Sequence, residues 1–514
     1  GMPVYAIGDG YISRIKISAY GYGKALYITH PNGYVSVYAH LQSFESKIQT
    51  LTSTIHYAKE KFEIDTLLND SLLPLRKGDF IGLSGNTGGS QGPHLHFEIR
   101  DAKTEMPVNP HLFGFFIPDT VKPRITKLAI YPLDENSRVN GKPSLRKIIP
   151  IHKKGKYSYL STDTISVQGC IGLGIECYDT ENKSSNQNGV YSIELRSGGR
   201  RIYYHEMKTF SFENARYVNA HIDYSDKEKN LTKIQKCFLS ENNKAGIYKD
   251  VIDQGKLSFN DDSIHWMKFI VKDFSGNATE LMLKIKSRSG IPSLQTKPQS
   301  GSRFDCSSEN KYEDENIKIF LPADALYDDM DFNYSIHRTN NAAIQGHKIQ
   351  NKETALQKPM LLSIKQTLPD SLQEKATIIR YQGEGLRMTG IHNEGGKYKD
   401  GWVSTETKSF GNFCVTLDTL APKLKQAFKQ NKDQPVQNLS KAKTLGIIAR
   451  DDLTGIKKYR ATIDGIWVLC EYEYKKDLLF HTFEKNLVPG IHNFSIEVTD
   501  DKGNTAVLMF RFMR

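Results

Sequence analysis

Cysteine is sparse in this chain and shows no pairing pattern. Six cysteines are spread over 514 residues: Cys170, Cys177, Cys237, Cys306, Cys414 and Cys470. None belongs to a C-x-x-C pair, which argues against zinc-knuckle and thioredoxin-type motifs. Cys170 and Cys177 are near enough in sequence for a local disulfide, although buried free thiols are the favoured reading. No run of 18 or more apolar residues occurs, so no segment reads as a membrane-spanning helix. The opening GMPVYAIGDGYISRI lacks a basic start and an apolar stretch, so it does not read as a signal peptide. It reads as the interior of a domain, so the lack of a signal here is weak evidence against export. Charge of neither sign is scarce, but 69 Lys and Arg outnumber 58 Asp and Glu, giving +11. A basic balance suits polyanionic partners. The charges are scattered, however, and no nucleic-acid module is present. Nucleic acid is therefore not an expected partner; a solvated basic surface is.

What the chain does contain is β texture. Apolar residues make up 38% and the mean hydropathy is −0.49, as for a globular chain. The length calls for about three to five domains. PVYAIGDGYISRIKI alternates as two strands about a turn at Gly8-Asp9-Gly10, and KALYITH and YVSVYAHL form a hairpin around Pro31-Asn32-Gly33. Residues 42–73 differ: helical spacing bounded by Pro74 predicts an insertion with at least one helix. Strands resume with KGDFIGLSG and HLHFEIRD.

Beyond residue 118 the chain repeats itself. DTVKPRI at Asp119 recurs as DTLAPKL at Asp418, and KFIVKDFSGNATELML at 268–283 recurs as SIEVTDDKGNTAVLMF at 495–510. The shared V-x-D-x-x-G-N frame predicts two strands joined by a tight turn, since Gly and Asn tolerate its positive φ. This pattern fits the last hairpin of an immunoglobulin-like β-sandwich. Such domains are expected at 118–290, with insertions near 213–238, and at 418–514, with a β-rich, sandwich-like domain at 303–417. Residues 287–302 read as a Ser/Pro/Gly-rich linker. The two D-x-x-G-N turns offer one carboxylate each, too few for calcium.

The chemistry concentrates in SGNTGGSQGPHLHFEIRD, residues 84–101. Alternate residues of a strand share a face. If HLHFE is a strand, His94 and His96 project together and Leu95 and Phe97 point the other way. The glycines permit a tight loop close to a substrate, and Pro93 sets the entry to the strand. Glu98 shares the alternation of the two histidines and is a candidate to orient an imidazole. Tyr38 and the loop residues Asn86 and Gly88 are candidates to line a substrate groove. His30 reads as a packing residue, Asp79 as a turn residue, and His265 and His492, each eight residues before the repeated Asp, as structural. GNTGG lacks the Lys-Ser/Thr of a phosphate loop.

These blocks, in this order, resemble the lysostaphin/LytM family of zinc metallopeptidases, which cut peptide bonds in peptidoglycan. The resemblance runs through PVYAIGDGYI, GYGKALYITHPNGYVSVYAHL, KGDFIGLSGNTG and GPHLHFEIRD, over residues 1–117 apart from the insertion. It implies Zn2+ as cofactor, with His96 as a zinc ligand. It implies that His94 and His40 are the imidazoles that orient water or stabilise the tetrahedral intermediate. The chain departs from the family at one place. The H-x-x-x-D motif that supplies the other two ligands is absent from residues 1–117, whereas a catalytic zinc takes three protein ligands. The expectation is that the parent protein extends upstream to that motif and that the chain as given is inactive.

The fold class expected is all-β: an antiparallel LytM-like domain with a helical insertion, then tandem β-sandwiches. Peptidoglycan is the expected substrate and the periplasm or cell surface the expected location, with an envelope protein as a possible partner of the sandwiches. Two other readings are a non-catalytic LytM-like regulator and an adhesive β-sandwich protein.

Overall fold

The computed structural model describes residues 1–115, 117–143, 147–150, 153–154, 158–160, 164–290, 302–339, 344–383, 388–428, 436–483 and 487–514. The expected linker at 287–302 lies mostly outside the described residues. The chain is all-β, built of antiparallel sheets with a few short helices. No helix of the described residues is long and apolar enough to cross a membrane. Two compact units are present, one of residues 1–107, 368–377 and 416–514, the other of residues 108–367 and 378–415.

The N-terminal module contains β1 (Pro3–Tyr5), β2 (Gly10–Ile17), β3 (Lys24–Thr29), β4 (Tyr34–Ala39) and β5 (Ser43–Phe44). After these come α1 (Ser46–Lys59), β6 (Ile64–Leu67), β7 (Pro74–Leu75), β8 (Phe80–Leu83) and β9 (His96–Asp101). The main sheet runs β9–β4–β3–β2–β6, with β7 beside β2. A small sheet, β1–β8–β5, flanks it. The strands on either side of Gly8-Asp9-Gly10 thus belong to different sheets. The expected helical insertion is α1. Glu45 caps it by accepting the N–H of Lys47, and it ends at Glu60 in the left-handed region.

Register divides the main sheet into two faces. Ile15 faces Leu26, Leu26 faces Tyr38, and Tyr38 faces Phe97 across successive strands. This row points into a core of Ile12, Ile15, Leu26, Ile28, Tyr38 and Ile81, which α1 covers with Ile48. The alternate row carries Ala25, Tyr27, Val37 and Ala39. Val37 and Ala39 pair with Glu98 and His96. The second face is where polar groups collect.

In the other unit, the 14-residue strand Ile165–Tyr178 pairs with Arg124–Pro132 along most of its length and, at its start, in parallel with Ala278–Ser287. Its inward residues Ile165, Val167, Ile171, Leu173 and Ile175 form one core with Met267, Phe269, Leu281 and Leu283. A further sheet orders Asn310–Glu313, Ile317–Leu321, Ala355–Lys365, Trp402–Ser409 and Lys397–Lys399. Cys170 and Cys177 sit on the same extended strand. Seven residues of strand span about 23 Å and place the two side chains on opposite faces. A local disulfide between them is therefore excluded on geometric grounds.

The C-terminal residues form two sheets over a shared core. One contains Thr444–Arg450 and Leu478–Thr482, the other Ile456–Ile463, Ile491–Asp500 and Thr505–Met513. Leu445, Ile447 and Leu479 of the first meet Phe494, Ile496, Val498 and Phe512 of the second. Both repeats close on the expected hairpin, Ile264–Lys272 with Ala278–Ser287 and Ile491–Asp500 with Thr505–Met513. Gly276 and Gly503 take positive φ in the turns, at 90° and 75°. His265 and His492 bond Asp261 and Asp464 at 2.9 and 2.7 Å.

Leu26 has no exposed surface and joins β2 to β4 through the core. Leu26→Ala is expected to destabilise the N-terminal module by about 2–5 kcal/mol. The check is hydrogen exchange, which should show protection lost across β2, β3 and β4.

Candidate functional site

The site grows from the end of β4 and the start of β9. Ala39 faces His96 across the pair, and its small side chain leaves room for the imidazole. At the next residue the chain turns sharply, because His40 adopts φ 59°, in the left-handed region. That conformation is uncommon outside glycine, and neighbouring backbone holds it. The His40 N–H donates to the Tyr22 carbonyl at 2.9 Å and the Leu41 N–H to the Lys24 carbonyl at 3.1 Å. His40 therefore leaves the strand's alternation, which corrects the expectation for Tyr38. Tyr38 is 1% exposed, lies in the core on the opposite face, and accepts the Ile7 N–H at 3.0 Å. It does not line a groove.

His94 and His96 also differ from the expectation. β9 begins at His96, so one strand does not present both. His94 lies in the loop before it, bridged by backbone to Gly85. Its Nδ1 lies 2.8 Å from the Gly92 carbonyl and 3.1 Å from Ser90 Oγ. The three imidazoles nevertheless converge. Ring centroids are 4.9 Å apart for His40 and His94 and 5.6 Å for His40 and His96. One ring nitrogen of each lies within 4.8 Å of those of the others. His40 is buried, His96 half-buried and His94 exposed.

The glycine loop backs this cluster. Thr87 accepts the His40 Nδ1 hydrogen bond on its carbonyl at 2.7 Å. Its hydroxyl donates to the Leu41 carbonyl and accepts the Lys24 N–H, each at 3.0 Å. Gly88 does not line a groove either. It is buried, with φ 68°, and a Cβ there would lie 2.3 Å from the Gly23 nitrogen and 2.5 Å from the Gly21 oxygen. Asn86 is half-buried, and its Oδ1 has no partner among the described residues.

Glu98 organises the second face. Its carboxylate lies 2.5 Å from His96 Nε2 and accepts Arg100 Nε at 2.7 Å and the Tyr22 hydroxyl. Burial works against ionisation of Glu98, yet the hydrogen bonds from His96, Arg100 and Tyr22 outweigh it and hold the carboxyl at about 2. Burial also pushes the His40 imidazole below its ordinary value. The Thr87 carbonyl opposes this, and the neighbouring His94, His96 and Lys475 add to it. Tyr22 and Arg100 went unnoticed in the sequence. Arg100 was legible there, because it continues the alternation of His96 and Glu98; Tyr22 carried no such signal.

Hydrogen bonding sets the tautomers. Carbonyl and carboxylate oxygens only accept. In the neutral tautomer His40 and His94 thus carry the proton on Nδ1 and His96 on Nε2, so that the lone pairs are those of Nε2, Nε2 and Nδ1. His96, backed by the Glu98 carboxylate, offers Nδ1 as one metal donor, whereas a catalytic zinc takes three protein ligands.

The C-terminal sandwich reaches this loop. Lys475 Nζ donates to the carbonyls of Asn86 at 2.5 Å and Ser90 at 3.2 Å. Lys24 pairs with Glu471 at 2.7 Å, and the rings of Tyr20 and Tyr474 lie 4.6 Å apart. Tyr459, Leu469 and Tyr472 pack against the N-terminal core. The polar and ring contacts join residues 385 to 454 positions apart in sequence, and no motif marks them.

The model of peptidase family M23 matches residues 1–52, and that of the Zu5-like domain matches residues 302–418. The N-terminal part of this chain is an M23 peptidase domain of the LytM type. Over 110 residues it is 36% identical to the DD-carboxypeptidase/endopeptidase Mpg of Neisseria meningitidis, covering 21% of this chain and 19% of that protein. Over 99 residues it is 32% identical to the peptidoglycan DD-endopeptidase ShyC of Vibrio cholerae, covering 19% and 17%. The chain thus spans about a fifth of the length of these relatives. Among solved structures, the M23 catalytic domain of EnpA from Enterococcus faecalis is 22% identical over 22% of this chain and 71% of that one, with a TM-score of 0.16.

Two outcomes test how the M23 domain holds its loop. Gly88→Ala is expected to cost roughly 2 kcal/mol or more, since a left-handed backbone and a backbone clash combine. A lowered urea midpoint for this domain checks it. Lys475→Ala should speed amide exchange over residues 85–92. It should also raise the His40 pKa towards its ordinary value, because a neighbouring positive charge is removed; an NMR titration of the imidazole reads this.

Proposed function

We propose that the M23 domain is the catalytic part of a zinc endopeptidase that cleaves peptide cross-links of peptidoglycan. The observation that carries this reading is the convergence of His40, His94 and His96, each with a bare ring nitrogen, beside the carboxylate of Glu98. The similarity to the peptidoglycan DD-endopeptidase ShyC supplies the substrate class.

The roles proposed are these. His96 is a metal ligand through Nδ1, and Glu98 fixes its tautomer and ring orientation. A zinc ion held there supplies Lewis acidity and lowers the pKa of a water towards about 7. His40, kept neutral by burial, takes a proton at Nε2 from the attacking water. His94, exposed at the mouth, donates a hydrogen bond to the developing oxyanion once protonated at Nε2. Arg100 and Tyr22 keep Glu98 ionised, so that it continues to accept from His96.

Within the family pattern this chain carries one zinc ligand, His96, and no H-x-x-x-D in residues 1–117. The chain as given is accordingly proposed to bind zinc weakly and to be inactive. The modules are read as 1–117, 118–290, 303–417 and 418–514, the later ones holding the enzyme near the wall in the periplasm or at the cell surface. A second reading, a non-catalytic regulator that binds peptidoglycan or another wall hydrolase, draws on the seating of Lys475 beside the glycine loop.

Zinc stoichiometry by elemental analysis, paired with peptidoglycan digestion followed by mass spectrometry, tests both readings. The samples are this chain, any longer product of the same reading frame that includes an H-x-x-x-D, and the His96→Ala form of each. One zinc per chain and released cross-link peptides only in the longer form, both lost with His96→Ala, is the expected result. Tight zinc and cleavage by this chain alone would overturn the proposed inactivity. Pull-down by peptidoglycan without cleavage in any form would favour the regulator.

A further inference from the structure

The sequence offers one carboxylate per D-x-x-G-N turn, but the fold assembles three at each. Asp119, Asp179 and Asp273 place carboxylate oxygens within 4.8 Å of one another, and Asp418, Asp451 and Asp500 do the same. The correspondence is close. Asp119 and Asp418 are the aspartates of the repeated D-T-x-x-P, and Asp273 and Asp500 those of the repeated turn. Asp179 and Asp451 each follow a long strand, Ile165–Tyr178 and Thr444–Arg450. In both repeats the turn asparagine binds the first aspartate's carbonyl, Asn277 Nδ2 at 3.1 Å and Asn504 Nδ2 at 2.9 Å.

The two clusters differ in how their oxygens are satisfied. In the second repeat Asp451 Oδ2 accepts the N–H groups of Leu453, Thr454 and Gly455 at 3.0, 2.7 and 2.7 Å. Asp418 Oδ2 accepts the Thr454 hydroxyl at 2.5 Å. The frame also places Lys502, a largely buried lysine, where the first repeat has Ser275. In the first repeat Asp179 is 6% exposed, and its Oδ1 is buried with no hydrogen-bond partner among the described residues. The strongest charges acting on Asp179 are those of Asp273, Asp119 and Glu181, all acidic. Leaving a buried acceptor unsatisfied is costly, and more so when it is charged. A cation removes that cost at Asp179 and offsets the mutual repulsion of the three carboxylates; Asp273 already accepts from Asn277 and Asp119 from the Val121 N–H.

The surroundings indicate which cation. The three aspartates line a cavity of about 320 Å³ whose wall also carries Glu181, Asn109 and Asn188. Carboxylate and amide oxygens are hard donors. Calcium takes six to eight of them at about 2.3–2.6 Å with loose angular demands, whereas magnesium requires a tight octahedron and retains water. We propose that Asp119, Asp179 and Asp273 form a calcium site in the first repeat, and that Glu181 and Asn188 supply further oxygens from the same cavity. Calcium there ties together three separated segments: the entry of the repeat, the end of its longest strand and the turn of its last hairpin. The proposal does not depend on the peptidase reading.

Calcium titration of the full chain by calorimetry, after dialysis against EGTA, is the test, with thermal unfolding in parallel. The wild type is expected to bind one calcium per chain saturably and to melt at higher temperature with calcium than with EGTA. Asp179→Asn and Asp273→Asn should each weaken binding roughly tenfold or more, since affinity follows ligand charge. Asp451→Asn, in the equivalent cluster, should bind as the wild type does. A melting curve in EGTA confirms that each variant folds. No saturable binding and no calcium-dependent shift in the wild type would overturn the proposal. So would undiminished binding by Asp179→Asn, or loss confined to Asp451→Asn. If Asp179→Asn melts higher than wild type in EGTA while calcium leaves the wild type unmoved, the trio is a charge-strained cluster without a ligand.

Discussion

Ala39 faces His96 across the β4–β9 pairing, and the rest of the M23 site follows from that register. A strand's side chains alternate with period two, so a slip of one residue would send Glu98 and His96 into the apolar core. The register is held from the opposite face, where Leu26, Tyr38 and Phe97 stack in one row over the core. Hydrophobic burial on one side of the sheet therefore positions polar chemistry on the other. The left-handed His40 then turns its imidazole out of the alternation and towards His94 and His96.

Glu98 gives this arrangement its electrostatic footing. A buried carboxylate is costly unless it is hydrogen-bonded and paired. Arg100, Tyr22 and His96 supply both, and the carboxylate in return settles which nitrogen of His96 stays bare. The Thr87 and Gly92 carbonyls do the same for His40 and His94. The glycine loop matters less for flexibility than for approach. Gly88 lets the loop lie against the Gly21–Gly23 turn, which puts the Thr87 carbonyl within reach of His40.

The two repeats illustrate how one sequence frame yields unequal chemistry. Each frame builds a hairpin whose asparagine ties the turn to the entry strand. The hairpin needs the aspartate, glycine and asparagine, and these recur. Saturation of the carboxylates depends on what the neighbouring loops contribute. The loop after Asp451 turns three N–H groups onto one oxygen, whereas Asp179 Oδ1 receives none among the described residues.

Much was legible in the chain before any coordinates. Alternation in KALYITH and YVSVYAHL, the turn at Pro31-Asn32-Gly33, the helical insertion and the repeated hairpin are local patterns, set by period, turn residues and caps within a few positions. His40, His94, His96 and Glu98 were legible as chemistry because they sit in motif-dense stretches. Tyr38 and Gly88 are buried instead of lining a groove, since exposure depends on what packs against a residue, and the positive φ at His40 turns that imidazole away from the Tyr38 face. Lys475 on the glycine loop and the joining of Asp119 with Asp179 were invisible, because contacts between residues 60 to 400 positions apart leave no periodicity. Short-range sterics and patterning dictate the strands, the turns and which side chains are candidates for chemistry. Which imidazoles converge and which carboxylates meet depends on the register of distant strands and on the burial that their packing creates.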